Sequence, residues 1–174
     1  MMKVIDTGFA GLILMEPKLF EDDRGMFYES WRDIDYKQFG IQEKFLQDNI
    51  SISKKNVLRG LHYQKNQGQL VTIVFGKIFD VVVDIRSNSK TYKKYYSIEL
   101  DAKLPKQLYM SPGFAHGFYV LSEQAIVSYK CTQHYNSSEE GGIIWSDPAI
   151  SIDWPEGDKI ISLKDQKFSC INNL

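Results

Sequence analysis

The sequence predicts an all-β fold, a sandwich or barrel of short strands with a few short helices. Three observations carry that expectation. Short runs rich in Val, Ile, Phe and Tyr recur along the chain, turn-forming clusters separate them, and no internal repeat or low-complexity tract interrupts them. With 174 residues and no linker rich in Pro, Gly or Ser, the chain reads as one domain over residues 1–174.

The elements follow in order. The N-terminal stretch to Pro17 is apolar but too short and too interrupted, by Asp6 and Pro17, to be a leader or a membrane span. Asp22 to Glu29 places Arg24 and Glu29 around Gly25, as in a charged hairpin. Asp33 to Phe39 reads as a helix, with Asp33 as its N-cap and Gly40 as its stop. Gln47-Asp48-Asn49 is a polar cluster in an extended segment. Leu70–Phe75 and Ile78–Ile85 flank Gly76-Lys77 and read as a hairpin. In the second run Phe79, Val81 and Val83 alternate with Asp80, Val82 and Asp84, so the Asp-bearing face is expected to be wetter. Tyr95–Leu100, Gln107–Met110, Phe118–Leu121 and Ala125–Cys131 are further strands, and the segment from Asp147 on is expected to be a loop with short helical turns.

Charge excludes one class of function. Lys plus Arg is 21 and Asp plus Glu is 22, a net charge of −1, without the cationic excess of a nucleic-acid binder. Two distant cysteines, Cys131 and Cys170, make no disulfide framework, so a cytoplasmic protein is expected. The high aromatic content, 13%, fits strands with wet faces or a pocket that stacks a planar ligand.

Of the three histidines, His62 and His116 stand in unusual surroundings: Leu58-Arg59-Gly60-Leu61-His62-Tyr63-Gln64 and Pro112-Gly113-Phe114-Ala115-His116-Gly117-Phe118. A histidine beside an arginine on a half-buried strand suits a general base or an anion ligand, as well as a hydrogen-bonded structural role. Residue 64 is Gln, so no second histidine follows His62 at i+2, and no nearby Glu completes a ligand set; no metal is expected. Arg24 and Arg59 together suit a diphosphate, because guanidinium forks match phosphate oxygens.

These blocks occur together in one family. From about Ile13 to Asp165 the chain resembles the dTDP-4-dehydrorhamnose 3,5-epimerases, cupin-type nucleotide-sugar epimerases. The resemblance is carried by Asp23-Arg24-Gly25 with Phe27 and Glu29, by Gln47-Asp48-Asn49, by the two histidine blocks, by Val83-Asp84-Ile85-Arg86, by Tyr129-Lys130 with Tyr135, and by Ile152-Asp153-Trp154-Pro155. It implies a cupin-type jelly roll that works as a homodimer without cofactor or metal. The implied activity is epimerisation at C3 and C5 of a nucleoside-diphosphate 4-keto-6-deoxy sugar for a surface polysaccharide. A relative acting on a GDP-linked 4-keto-heptose, at one or both carbons, is the alternative. The family pattern gives the base to His62, an orienting carboxylate to Asp165 and the proton donor to Tyr129. It gives substrate contacts to Arg24, Glu29, Gln47, Asn49, Arg59, His116, Glu140 and Lys164, and base stacking to Tyr135. One position departs. Where the family reads Gln-Gly-Lys-Leu-Val, this chain has Gln67-Gly68-Gln69-Leu70-Val71, so Gln69 takes a substrate-facing place without a charge, and Lys65 and Lys130 are the nearest replacements.

Overall fold

The computed structural model describes residues 2–174. Its strands are β1 (Lys3–Asp6), β2 (Leu12–Glu16), β3 (Phe20–Asp22), β4 (Gly25–Phe27), β5 (Gln47–Lys54), β6 (Leu58–Gln64), β7 (Gln69–Phe75), β8 (Lys77–Asp84), β9 (Tyr95–Asp101), β10 (Gln107–Met110), β11 (Phe114–Val120), β12 (Gln124–Cys131) and β13 (Glu140–Gly142). One sheet has the order β1-β2-β10-β7-β12-β5, the second β13-β6-β11-β8-β9, and β3 and β4 form a separate hairpin. The strand pairs of both sheets are antiparallel. The two large sheets face each other in the cupin-type sandwich that the sequence predicts.

Alternation sorts the side chains into layers. Leu14, Val71, Ile73, Leu108 and Val127 from one sheet meet Ile78, Val82, Leu100, Phe118 and Val120 from the other between the sheets. The back of the first sheet is covered by Tyr36 and Ile41, which lie on Met15, Leu70 and Tyr109. The back of the second is covered by Ile143, Ile150 and Ile171 on Leu61, Val81, Val83 and Ala115.

Three expectations are corrected. The run from β7 to β8 is not a hairpin: the strands belong to different sheets, and the turn at Gly76 carries the chain across the sandwich. The Asp-bearing face of β8 is the interior one. Asp80 and Asp84 have no exposed surface: His116 pairs with one oxygen of the first, and Arg86, Ser89 and Thr91 satisfy the second. The helix α1 spans Asp33–Lys37, its N-cap is Arg32, and the Asp33 carboxylate instead pairs with Lys37 at 2.9 Å, one turn on.

One irregularity places the functional side chains. His116 pairs with His62 and Phe118 with Arg59, so two residues of β6, Gly60 and Leu61, stand opposite the single residue Gly117 of β11. This is a β-bulge. Strict alternation would turn residues three apart to opposite faces; the extra residue brings Arg59 and His62 to the same one. The close approach requires glycine on both strands. Gly60 has φ +122°, and a Cβ there would lie 2.5 Å from Gly117 Cα. A Cβ on Gly117 would lie 2.7 Å from the Arg59 carbonyl oxygen and 3.0 Å from Leu61 Cδ2.

Gly117→Ala is therefore expected to destabilise the fold by about 1–3 kcal/mol, the usual cost of overpacking. Urea unfolding followed by tryptophan fluorescence measures it, and an unchanged midpoint would contradict the packing described for the bulge.

Candidate active site

A cavity of about 470 Å³ opens between the sheets. The second sheet lines it with Arg59, His62 and Gln64 from β6, His116 and Phe118 from β11, and Glu140 from β13. The first sheet faces them with Gln47, Asn49 and Ser51 from β5, Gln69 from β7, and Val127, Tyr129 and Cys131 from β12. His62 and Tyr129 thus stand on opposite walls.

His62 is held from behind. Its Nε2 lies 2.9 Å from Asp165 Oδ1, and Asp165 Oδ2 accepts the Gly60 backbone N–H at 3.1 Å. One carboxylate therefore bridges the bulge: it satisfies the amide that the bulge frees and orients the imidazole. Asp165 reaches this place from a single 3₁₀ turn, Asp165–Lys167, and its own N–H donates to Ser162 Oγ at 3.0 Å. Burial works against the Asp165 charge, but hydrogen bonds from His62 and Gly60 hold its carboxyl below the usual carboxylate range. With Nε2 engaged, Nδ1 is the imidazole nitrogen left for a ligand.

Opposite, burial among cavity residues pushes the Tyr129 phenol above its usual range, with Cys131 and Glu140 adding to the shift and Arg59 opposing it. Such a phenol keeps its proton until a strongly basic partner arrives.

His116 carries a second carboxylate. Its Nε2 lies 2.8 Å from the buried Asp80 Oδ2, while Asp80 Oδ1 is buried without a partner among the described residues. Asp80 was not among the predicted site residues, because only the pairing of β8 with β11 brings it to His116. Ser51 and Cys131 were also missed, although each stands two residues from a predicted site residue on the same strand and so shares its face.

At the mouth, the Tyr135 hydroxyl donates to Glu140 Oε2 at 2.9 Å and Lys164 Nζ donates to the same oxygen at 2.6 Å. Partial burial opposes the Glu140 charge, and these two donors more than offset it, so its carboxyl lies below its usual range.

Of the predicted residues, Gln47, Asn49, Arg59, His62, Gln69, His116, Tyr129, Tyr135 and Glu140 line this one cavity, with Asp165 and Lys164 directly behind its wall. Arg24 and Glu29 do not reach it. Arg24 sits in the turn between β3 and β4, 89% exposed and paired with Asp22, and Glu29 lies 3.7 Å from Arg32. Lys130 does not replace a charge at position 69: it alternates with Tyr129 to the other face of β12 and pairs with Asp48 at 2.9 Å. Lys65 is exposed and outside the wall, so Arg59 is the one Lys or Arg among the described lining residues.

The sequence model of the dTDP-4-dehydrorhamnose 3,5-epimerases matches residues 6–173. The chain is 43% identical over 171 residues to the dTDP-4-dehydrorhamnose 3,5-epimerase of Methanothermobacter thermautotrophicus, covering 95% of this chain and 92% of that protein. It is 47% identical over 159 residues to the Salmonella typhimurium enzyme, covering 89% and 87%. The crystal structure of the Legionella pneumophila dTDP-6-deoxy-D-glucose-3,5-epimerase in complex with dTDP-4-keto-L-rhamnose superposes with a TM-score of 0.96 at 44% identity, over 99% of this chain and 94% of that chain. A 3'-monoepimerase from Streptomyces bikiniensis, in complex with dTDP-quinovose, superposes with a TM-score of 0.88 at 27% identity, over 93% and 84%.

Asp165 also sets a pH dependence of stability. Its folded carboxyl binds a proton more weakly than the unfolded chain does. The stabilisation is complete above the ordinary carboxylate pKa of about 4 and is lost as pH falls through the lower folded value. The difference in urea midpoint between wild type and Asp165→Asn should be larger at pH 7 than at pH 3. A difference independent of pH would contradict the bridging role of the carboxylate.

Proposed function

The chain belongs to the dTDP-4-dehydrorhamnose 3,5-epimerase family, and on that premise we propose that it inverts C3 and C5 of a dTDP-linked 4-keto-6-deoxy sugar through an enolate. The hydrogens on C3 and C5 are acidified by the C4 ketone, and removing either puts charge on O4. Inversion then needs a base on one face of the ring and an acid on the other. The observation that carries the assignment is the pair of opposed walls: His62, backed by Asp165, on one sheet and the protonated Tyr129 on the other.

His62 Nδ1 takes the proton. Asp165 holds the tautomer and stabilises the imidazolium that forms, the task of the third member of a catalytic triad. Tyr129 returns a proton to the opposite face. Arg59, the lining cation, carries the electrostatic load of the anionic substrate. Gln47, Asn49, Gln69 and His116 contact the substrate, and Tyr135, held between Glu140 and the solvent, stacks on the nucleotide base with Lys164 beside it. The steps are proton transfers between side chains and substrate and call on no cofactor or metal. Residues 1–174 act as one domain in this reading. The product feeds a surface polysaccharide, and the unpaired thiols of Cys131 and Cys170 fit a cytoplasmic setting.

The working unit is a homodimer. β5 is an edge strand whose outer face exposes Ile50 at 70% and Ile52 at 60%, and the separate hairpin exposes Phe20, Met26 and Phe27. A second copy covering these surfaces lets Arg24 and Glu29 serve the cavity of the partner.

His62→Asn should lower turnover by at least about 10², the scale for a lost general base, with nucleotide binding retained. Tyr129→Phe should leave exchange of substrate hydrogen with solvent running while net inversion falls at one carbon or both. NMR in deuterium oxide reads both quantities. Wild-type exchange in His62→Asn, or equal loss of exchange and inversion in Tyr129→Phe, would overturn the respective role.

The dimer has its own test. Arg24→Ala and His62→Asn, each weakly active alone, should on refolding together recover about one quarter of wild-type activity, since half of the dimers are mixed and each holds one complete site. No recovery would place Arg24 in service of its own protomer.

A further inference from the structure

The amides lining the cavity are not equivalent, and the difference fixes what one of them recognises. Gln47 Oε1 accepts the Tyr135 N–H, and its Nε2 donates to Asn49 Oδ1. Gln64 donates to the His134 carbonyl and accepts the Asn136 N–H. Asn49 Nδ2 is turned to Cys131 Sγ at 3.5 Å. In each of these side chains the carbonyl oxygen is already taken by a protein donor.

Gln69 differs. The Gln133 backbone carbonyl can only accept, so the Gln67 side chain must turn its NH₂ to it, and does so at 3.0 Å. That turns Gln67 Oε1 to Gln69, whose Nε2 donates to it at 3.1 Å. Gln69 Oε1 is left without a donor among the described residues, on a side chain that lines the cavity. The order of oxygen and nitrogen along this relay follows from a backbone group.

The relay is held in register at its centre. The Gly68 N–H donates to Thr132 Oγ1 at 2.8 Å and the Gly68 carbonyl accepts the Thr132 N–H at 3.0 Å. A Cβ at Gly68 would lie 3.1 Å from the Met110 carbonyl oxygen, so the segment is also closely packed. Gln69 and Cys131 are cross-strand partners directly beyond this lock.

We propose that Gln67 and Gln69 form a polarity-fixed relay that presents Gln69 Oε1 as an acceptor for a ring hydroxyl of the sugar, which makes Gln69 a specificity-determining residue and Gln67 its positioning residue. The inference rests on the epimerase reading above. An acceptor does not hydrogen-bond a ketone or an enolate oxygen, which are acceptors themselves; it binds a hydroxyl. In a 4-keto-6-deoxyhexose linked through C1, the ring hydroxyls are those on C2 and C3. Gln69 therefore reads one of these two, and a sugar lacking it leaves the amide carbonyl unpaired, the arrangement by which polar sites discriminate most strongly.

The test measures kcat and KM for exchange at C5, a position that the parent dTDP-4-keto-6-deoxyglucose shares with its 2-deoxy and 3-deoxy analogues. Wild type should penalise one analogue by about tenfold or more in kcat/KM, mainly through KM. Gln69→Leu should shrink that penalty below about threefold. Gln67→Arg donates to both the Gln133 carbonyl and Gln69 Oε1, reverses the Gln69 amide and should abolish it. The same penalty in wild type, Gln69→Leu and Gln67→Arg would overturn the inference while leaving the epimerase reading intact. A folded wild-type protein that exchanges neither C3 nor C5 of the parent sugar would overturn the epimerase reading, and this inference with it.

Discussion

Strand β6 carries one residue more than β11 can match between His62 and Arg59, and the site depends on that excess. The bulge turns a cation and an imidazole to one face, where a regular strand would have divided them. It also frees a backbone amide, and the carboxylate that satisfies this amide is the one that orients His62. Fold and site are therefore coupled at Asp165. The 3₁₀ turn that closes the second sheet supplies a structural hydrogen bond and an electrostatic one through the two oxygens of a single side chain.

The sandwich performs the second task, which is separation. A base and an acid on one wall would neutralise each other or deliver to one face of a ring. Here the carboxylate-backed imidazole stands on one sheet and the phenol on the other, with the cavity between them. Their environments differ in the sense that the proposed roles require: hydrogen bonds keep Asp165 anionic, and burial keeps Tyr129 protonated. The same cavity distributes its neutral polar groups unevenly. Most amides are spent on fixing the loop that carries Tyr135, and among the described residues of the cavity Gln69 alone keeps an open carbonyl.

Strand identity was legible where strands are central. β8 is buried on both faces over most of its length, and β7 and β8 carry nearly continuous Val, Ile and Phe, while β12 alternates buried Ala125, Val127 and Cys131 with more open positions. β1 and β2 carry too few β-branched residues in too short a run to stand out, and β13 is three residues containing two glycines. The Gly76 turn was legible as a turn, but a local signal cannot say whether the flanking strands pair or part into different sheets. Asp80 and Asp84 misled for a related reason. Alternation separates two faces, and a charged face is taken as the wet one until its partners, His116 for one and Arg86 for the other, are brought across from elsewhere in the fold. Asp33 misled because its carboxylate found Lys37 one turn on rather than the helix N-terminus. The site residues were legible as blocks, and most of them line or back one cavity. Arg24 and Glu29 share those blocks but not the cavity, because the β3–β4 hairpin stands apart from both large sheets.

In the proposed mechanism Asp165 fixes His62 with its proton on Nε2 and leaves Nδ1 open to the cavity. Nitrogen-15 NMR of histidine-labelled protein tests it directly, with the His62 resonances assigned by their loss in His62→Asn. The neutral ring should show a protonated Nε2 and a pyridine-type Nδ1, and Asp165→Asn should shift the tautomer balance away from that form. A neutral His62 with its proton on Nδ1 in the wild-type protein would contradict the arrangement from which the base role of His62 is argued.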